Sequence, residues 1–283
     1  MPLYKEELRH FISAVLDEDV GAGDLTSMAT IPMDAVIAAK LNAREPMVIA
    51  GIDIAAKIIH SVDSAIKIDL LVSDGVEVTA GNTIMRISGN ARNILTAERS
   101  ALNVLQHLSG IATLTRQYVK EIEHTSCQLL DTRKTIPLYR KLAKYAARMG
   151  GAKNHRMRLD DGILIKDNHI ASVGSVEKAI DAAKNFGSEK STIGITVECD
   201  TLEQADEAVN AGADRLLLDN MSLEMLHAAV TKYGGLIKLE ASGGVTLSTI
   251  KKIAETGVDY ISTSKITMSA TTLDLGLDIK IGG

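Results

Sequence analysis

The sequence predicts an α/β protein with a small α/β domain in front and a barrel-like β/α fold behind it. Three observations carry this. From about residue 125 a short apolar run alternates with an amphipathic helical pattern, recurring as CQLLDTRK, ILIKDNH, ITVECD, RLLLDN, IKLEASGG and YISTS. Near-continuously apolar strands separated by helices indicate a parallel sheet covered by helices. Each run also closes on a polar or charged residue, in order Asp131, Lys166, Glu198, Asp219, Glu240 and Thr263. Functional-looking residues at every strand end indicate a barrel with its site at that face, whereas an open doubly wound sheet concentrates chemistry at one switch point. Six strands are clear. A seventh is sought near residues 111–125 or in the tail, and the barrel need not be complete.

The elements follow in order. Leu8, Phe11, Ile12, Val15 and Leu16 have helical spacing with one buried face. That helix stops at Asp17-Glu18-Asp19 and the turn-rich Gly21-Ala22-Gly23-Asp24. Gly21-Ala22-Gly23 follows a helix and lacks a third glycine, so it is not a dinucleotide loop. Strand patterns cover 35–41, 66–71 and 83–87, with a helix at 52–59 and a turn region at 72–81. A long helix pattern covers 92–108, with Leu95, Leu102 and Leu105 on one face and Glu98-Arg99 near its middle. Barrel helices are expected at 138–149, 176–186, 202–211, 223–233 and 247–255.

Composition narrows the function. The 283 residues suffice for one large domain or two ordinary ones and need no disulfide or metal staple. Two Phe, six Tyr and no Trp argue against modules that stack bases or sugars on exposed rings. A net charge of −5 argues against a nucleic-acid or anionic-membrane surface. Cys127 and Cys199 are too few for a disulfide framework or a zinc site. With no signal-like N-terminus and no apolar run approaching the ~18–20 residues of a membrane span, a soluble cytoplasmic protein is expected.

The net charge hides an island. Residues 131–169 hold ten Lys and Arg against four Asp and Glu, so a +6 segment sits inside a −11 remainder. Arg140, Lys141 and Lys144 read as the solvated face of a helix. Arg133, Lys134, His155, Arg156 and Lys166 instead fall at strand ends or in a Gly-flanked loop, where a barrel presents its mouth. Cations converging there repel one another unless an anion occupies the site, and Arg suits a two-pronged grip on carboxylate or phosphate. The inferred ligand therefore carries several negative charges. Glu198 and Asp219 close neighbouring strands, where two carboxylates beside phosphates can hold magnesium, usually through water, or accept from ribose hydroxyls. Ser242-Gly243-Gly244, before a helix expected to start near Thr246, offers backbone N–H groups to a phosphate. His10, His60, His107, His124 and His227 fall on helical patterns or their ends and read as structural. The ten Met read as core filler.

At these residues the chain resembles the quinolinate phosphoribosyltransferase family. The likeness runs nearly end to end through EDVGAGDLTS, LTAERSALNVLQHLSGIAT, DTRKT, GGAKNHR, LIKDNH, VECD, LLLDN and EASGGV. The resemblance implies an N-terminal α/β domain over 1–110, with the tail 270–283 packing back on it, and an open, TIM-like seven-stranded α/β barrel over 111–269. It implies transfer of phosphoribose from phosphoribosyl pyrophosphate (PRPP) to quinolinate with decarboxylation, giving nicotinate mononucleotide, with Mg2+ as cofactor. It assigns Arg133, His155, Arg156 and Lys166 to the quinolinate carboxylates, and Arg99 to a neighbour's site across a homodimer or higher homo-oligomer. Lys134, Glu198, Asp219 and Asn220 fall to PRPP, Ser242, Gly243, Gly244 and Ser264 to its phosphate, and Glu198 and Asp219 to Mg2+. Lys166, His155, Glu198 and Asp219 are the catalytic set, with Lys166 or His155 supplying the proton that replaces carbon dioxide.

The chain departs from the family in three places. Ser264 stands where a Gly is common, Met268 where a His is common, and Thr-Ile-Pro-Leu at 135–138 replaces a commoner Thr-Thr-Pro-Gly. The Ser264 N–H still suits a phosphate, and Lys265 lies beside it. Rival readings are a molybdate-operon relative, an aldolase-type barrel using Lys166 as a Schiff base, and a non-catalytic nucleotide-binding paralogue.

Overall fold

Side chains along a strand alternate between two faces, and the fold uses that alternation differently in different places. A computed structural model describes residues 5–187 and 194–279. The elements are α1 (Lys5–Val20), α2 (Leu25–Thr30), β1 (Val36–Ala43), β2 (Met47–Val48), α3 (Ile52–Val62), β3 (Lys67–Leu70), β4 (Glu77–Val78), β5 (Thr83–Asn90) and α4 (Ala91–Ile122). Then come β6 (Gln128–Leu130), α5 (Arg140–Gly150), a 3-10 turn at Leu159–Asp161, β7 (Ile163–Ile165), α6 (Asp167–Val173), α7 (Val176–Gly187), β8 (Ile195–Cys199) and α8 (Leu202–Asn210). The chain ends with β9 (Arg215–Asp219), α9 (Leu223–Tyr233), β10 (Lys238–Ser242), α10 (Ile250–Ala254), β11 (Tyr260–Ser262), α11 (Lys265–Met268) and β12 (Leu275–Ile279). There are two compact units. Among the described residues, one takes those up to Arg116, Lys141–Gly151 and those from Ala270 to Ile279, and the other takes Gln117–Arg140 and the described part of Ala152–Ser269.

The first unit carries an antiparallel sheet ordered β12-β1-β5-β3. Residues of α3, β5 and α4 such as Ile58, Ile84, Met85, Leu105 and Leu108 are fully buried. Each such side chain contributes roughly 1.5–3 kcal/mol by leaving water. The stretch 72–81, expected to be turn only, contains β4, which pairs with β2 over two residues each. Gly110 is required by a close approach, because a Cβ there would sit 1.9 Å from the Thr271 carbonyl oxygen.

The second unit carries six parallel strands ordered β6-β11-β10-β9-β8-β7. A seventh barrel position is a single parallel bridge from Lys153 to Leu130, with the Lys153 N–H donating to Leu129 O at 2.9 Å. The expected seventh strand is therefore neither at 111–125, which is the helix α4 and the turn after it, nor in the tail, where β12 joins the antiparallel sheet. One bridge needs no apolar run, which is why no strand pattern marks it. Among the described residues no pairing joins Lys153 to β7, so the barrel is open there.

The barrel strands also alternate more than continuous apolar runs imply. Val197, Cys199, Leu216, Leu218, Leu239 and Ile261 are buried, while Glu198, Leu217, Asp219, Glu240, Ser242 and Ser262 line an interior cavity. The helices between strands are capped locally. The Thr201 hydroxyl accepts from the Gln204 N–H at 3.2 Å and the Ser222 hydroxyl from the Met225 N–H at 3.3 Å, each cap worth about 1 kcal/mol.

Two helix expectations are corrected. Lys144 of α5 is fully buried instead of solvated. Arg140 is half-buried and donates to Thr135 Oγ1 and Met157 O, and Lys141 pairs with Glu7. The last barrel helix begins at Ile250, not near Thr246.

Candidate active site

The cavity in the barrel interior has a volume of about 390 Å³. Its wall combines Arg133, Lys134, His155, Arg156 and Lys166 with Glu198, Asp219 and Ser242, all read as site residues from the sequence. Strand ends put them there. Lys166 follows β7, Glu198 lies near the end of β8, Asp219 ends β9 and Ser242 ends β10.

The loop bearing His155 and Arg156 is tied to the end of β6 by Asp131, a fully buried residue. The Asp131 carboxylate accepts from Asn154 Nδ2 at 2.5 Å and from the His155 N–H at 2.8 Å. Arg156 donates through Nη1 to Gly162 O at 2.9 Å. Burial, and then the neighbouring Arg133 cation, lower its pKa from the usual arginine value. That mutual repulsion is the expected signature of cations gathered for an anion. The Arg133 Nε is buried and has no hydrogen-bond partner among the described residues. A buried donor left unpaired costs roughly 1–3 kcal/mol, which an arriving acceptor recovers.

On the opposite wall Lys166 Nζ pairs with Glu198 Oε2. Asp219 Oδ2 accepts from Asn220 Nδ2 at 2.7 Å. Asn220, Gly243, Gly244 and Ser264 lie outside the cavity wall proper. Asn220 takes a positive φ of 53° and its N–H donates to Ser242 O at 2.9 Å. Gly243, at φ 85°, packs so closely that a Cβ would meet Asn220 Oδ1 at 2.2 Å. Ser264 precedes α11, where Thr267 Oγ1 donates to the Lys134 carbonyl at 2.8 Å. Arg99 is exposed on α4, in the first unit. Burial pushes the Cys127 and Cys199 thiols up to about 12, which removes them as nucleophiles.

The sequence reading gave no role to Glu240 of the wall or to Arg215, which lies behind it. Glu240 is fully buried, with Oε1 3.5 Å from His155 Nε2 and Oε2 3.2 Å from Arg215 Nη1. Its place among the six strand-terminal residues was the available signal. For Arg215, at the start of its strand, there was none.

An open β/α barrel with this mouth defines a class of enzyme: one that grips small polyanionic substrates and keeps two carboxylates facing the cations. The family profile described as the C-terminal domain of quinolinate phosphoribosyl transferase matches residues 111–278, and that of the N-terminal domain matches residues 24–109. A nicotinate-nucleotide pyrophosphorylase (carboxylating) of Mycobacterium leprae is 40% identical over 277 residues, covering 96% of each chain. A mitochondrial quinolinate phosphoribosyltransferase (decarboxylating) of Nicotiana tabacum is 40% identical, covering 96% of this chain and 82% of its own. The solved nicotinate-nucleotide pyrophosphorylase of Francisella tularensis superposes with a TM-score of 0.94 at 40% identity, covering 98% of both chains. The chain belongs to the quinolinate phosphoribosyltransferase family.

Proposed function

We propose that the barrel cavity is where this chain joins quinolinate to PRPP, releasing pyrophosphate and carbon dioxide and leaving nicotinate mononucleotide. The reaction is the family's, a step of NAD biosynthesis. The observation that carries the site assignment is the convergence of five predicted cationic or imidazole side chains on two carboxylates in one cavity, with a buried Arg133 donor unpaired. Arg133, His155, Arg156 and Lys166 take the pyridine dicarboxylate. Lys134 faces the pyrophosphate-bearing substrate, and the Ser242-Gly243-Gly244 turn with Asn220 and Ser264 takes its 5′-phosphate.

Pyrophosphate departure builds positive charge at the ribose carbon, which Glu198 and Asp219 stabilise electrostatically. The cationic wall orients quinolinate so that its ring nitrogen attacks that carbon. The alkylated ring is cationic and stabilises the carbanion left when carbon dioxide departs. A proton then replaces it. Glu198 and Asp219 offer an all-oxygen donor pair on adjacent strands, which fits Mg2+ carried in by PRPP phosphates better than a caged resident ion. Among the described residues no group of three or more His, Cys, Asp or Glu is placed to hold a metal alone. When bound, the ion would neutralise the pyrophosphate. The exposed Arg99 serves a second copy's cavity, making the working form a homodimer or larger. Cytoplasmic placement is part of the same reading, and among the described residues no helix is long and apolar enough to cross a membrane.

The test mixes the protein with Mg2+, quinolinate and PRPP, and measures nicotinate mononucleotide and carbon dioxide. Equimolar products are expected. Product formed from nicotinate alone, or binding without turnover, overturns the reading.

A further inference from the structure

Two threonine hydroxyls beyond the carboxyl end of β11 bond to neighbouring loops. Thr263 Oγ1 donates to Val245 O at 3.3 Å, in the residue that follows the Ser242-Gly243-Gly244 turn, and accepts the Lys265 N–H at 3.2 Å. Thr267, on α11, is buried, and its hydroxyl lies 2.8 Å from Lys134 O and 3.1 Å from Ser264 O. A hydroxyl has one proton, so the two carbonyls share it, with Lys134 O the nearer. A threonine on a helix ordinarily returns its hydroxyl to its own preceding turn. The bond to Lys134 instead leaves α11 for a loop 133 positions earlier. Lys134 is held on its other side too, since its N–H donates to Thr132 Oγ1 at 3.0 Å. Threonine hydroxyls thus link the glycine turn to the Ser264 segment, and that segment to Lys134.

We propose that Thr267 is a positioning residue that fixes the span between two anion grips, Lys134 at one end and Ser264 with the glycine turn at the other. It thereby favours a ligand with anionic groups at both ends over one carrying either group alone. The inference rests on the PRPP reading above, in which Lys134 faces the pyrophosphate and the Ser264 side takes the 5′-phosphate. The reason is geometric. Main-chain N–H groups cannot extend toward a ligand as a lysine side chain can, so their reach is set by where the backbone is held. Met268, next on α11, is exposed and has no donor to make up a shortfall. A ligand gripped at both ends gains from the second grip only when the span between grips matches its own length. A ligand gripped at one end gains nothing from that span. Replacing the Thr267 hydroxyl by a methyl group leaves Lys134 O and Ser264 O without that donor and unties the Lys134 segment from α11. It alters no charge, and it keeps the Thr132 bond to the Lys134 N–H.

The test is calorimetric titration of the full chain with PRPP, with pyrophosphate and with ribose 5-phosphate, each with Mg2+ and phthalate present. Phthalate keeps two adjacent carboxylates but lacks the attacking ring nitrogen, so binding is read without turnover. Thr267→Val should weaken PRPP about 5–10-fold, on the order of one hydrogen bond, and each single-ended ligand less than about twofold. In turnover with quinolinate, KM for PRPP should rise by the same factor while KM for quinolinate holds. Thr267→Ser should restore the affinity for PRPP. A packing role predicts the opposite order, because valine keeps the shape of threonine and serine does not. Should the valine variant fail to fold, Thr267→Ala takes the same titrations. Unchanged PRPP affinity overturns the proposal. Equal weakening of pyrophosphate and PRPP overturns it as well, since Thr267 would then prop Lys134 alone. Wild type that binds PRPP but yields no nicotinate mononucleotide defeats the quinolinate reading and leaves this inference standing on its own titrations. Wild type that does not bind PRPP defeats both.

Discussion

The two sheets of this chain use their buried faces in opposite ways. In the antiparallel sheet, paired residues such as Leu41 and Met85, or Ala39 and Ile87, are apolar and buried. In the parallel sheet the interior face is lined by Glu198, Asp219, Glu240, Ser242 and Ser262. The first face is filled by its own side chains. The second encloses a polar cavity. The difference shows which free energy each region serves, since substitutions in the first should cost stability and those in the second should cost turnover.

Lys166→Ala is the strongest test of that division. Loss of a group this close to the reacting atoms should lower kcat/KM about 10²–10⁴-fold. The thermal midpoint should change little, because the loss relieves repulsion among the cations but also leaves Glu198 without its partner. Near-normal turnover would remove Lys166 from the mechanism. The counterpart is Leu105→Ala in α4, a fully buried side chain. It should cost about 2–5 kcal/mol by chemical denaturation, with kcat per folded molecule unchanged.

Arg133→Lys sharpens the contrast inside the barrel. A lysine keeps the charge but loses the fork and the buried Nε donor. Losing a charge-assisted hydrogen bond worth about 1.5–3 kcal/mol should raise KM for quinolinate at least about tenfold, with KM for PRPP nearly constant. An equal rise for both substrates would mean that Arg133 shapes the whole mouth.

Most of the site was legible because a barrel delivers strand-terminal residues to one rim. Lys166, Glu198, Asp219 and Ser242 needed only their position in the β/α rhythm. The Arg215–Glu240–His155 contacts were not legible, since they join three separate segments through the interior. Lys144 was misread because helical spacing shows which face a lysine shares but not what covers that face. The seventh barrel position was hidden because it is one bridge at Lys153.

Leu138 stores a smaller amount of energy. It stands where a glycine is common in the family, takes a φ of 64° and is fully exposed. The left-handed conformation costs a side-chain-bearing residue about 1–2 kcal/mol, part of which glycine returns through its freer unfolded state. Leu138→Gly should therefore stabilise the chain by about 0.5–1 kcal/mol.

The smallest expected effect contrasts two aspartates. Asp219 holds its carboxylate at the cavity wall, whereas Asp24 spends its own on folding. Asp24 caps α2, accepting from the Ser27 N–H at 3.0 Å and from the Ser27 hydroxyl. The Ser27 side-chain and then backbone hydrogen bonds hold its carboxyl below the ordinary aspartate value. A carboxyl depressed in the folded state stabilises fully above its unfolded pKa of about 3.9, and that contribution fades as pH falls through the folded value. Asp24→Asn keeps a capping oxygen that does not titrate. The difference in denaturation midpoint between wild type and Asp24→Asn should therefore be flat from neutral pH to about pH 5 and shrink below about pH 4. A difference that stays constant through the acid range would mean that the Ser27 bonds survive protonation. The cap would then act through hydrogen-bond geometry alone, and its charge would contribute nothing to folding.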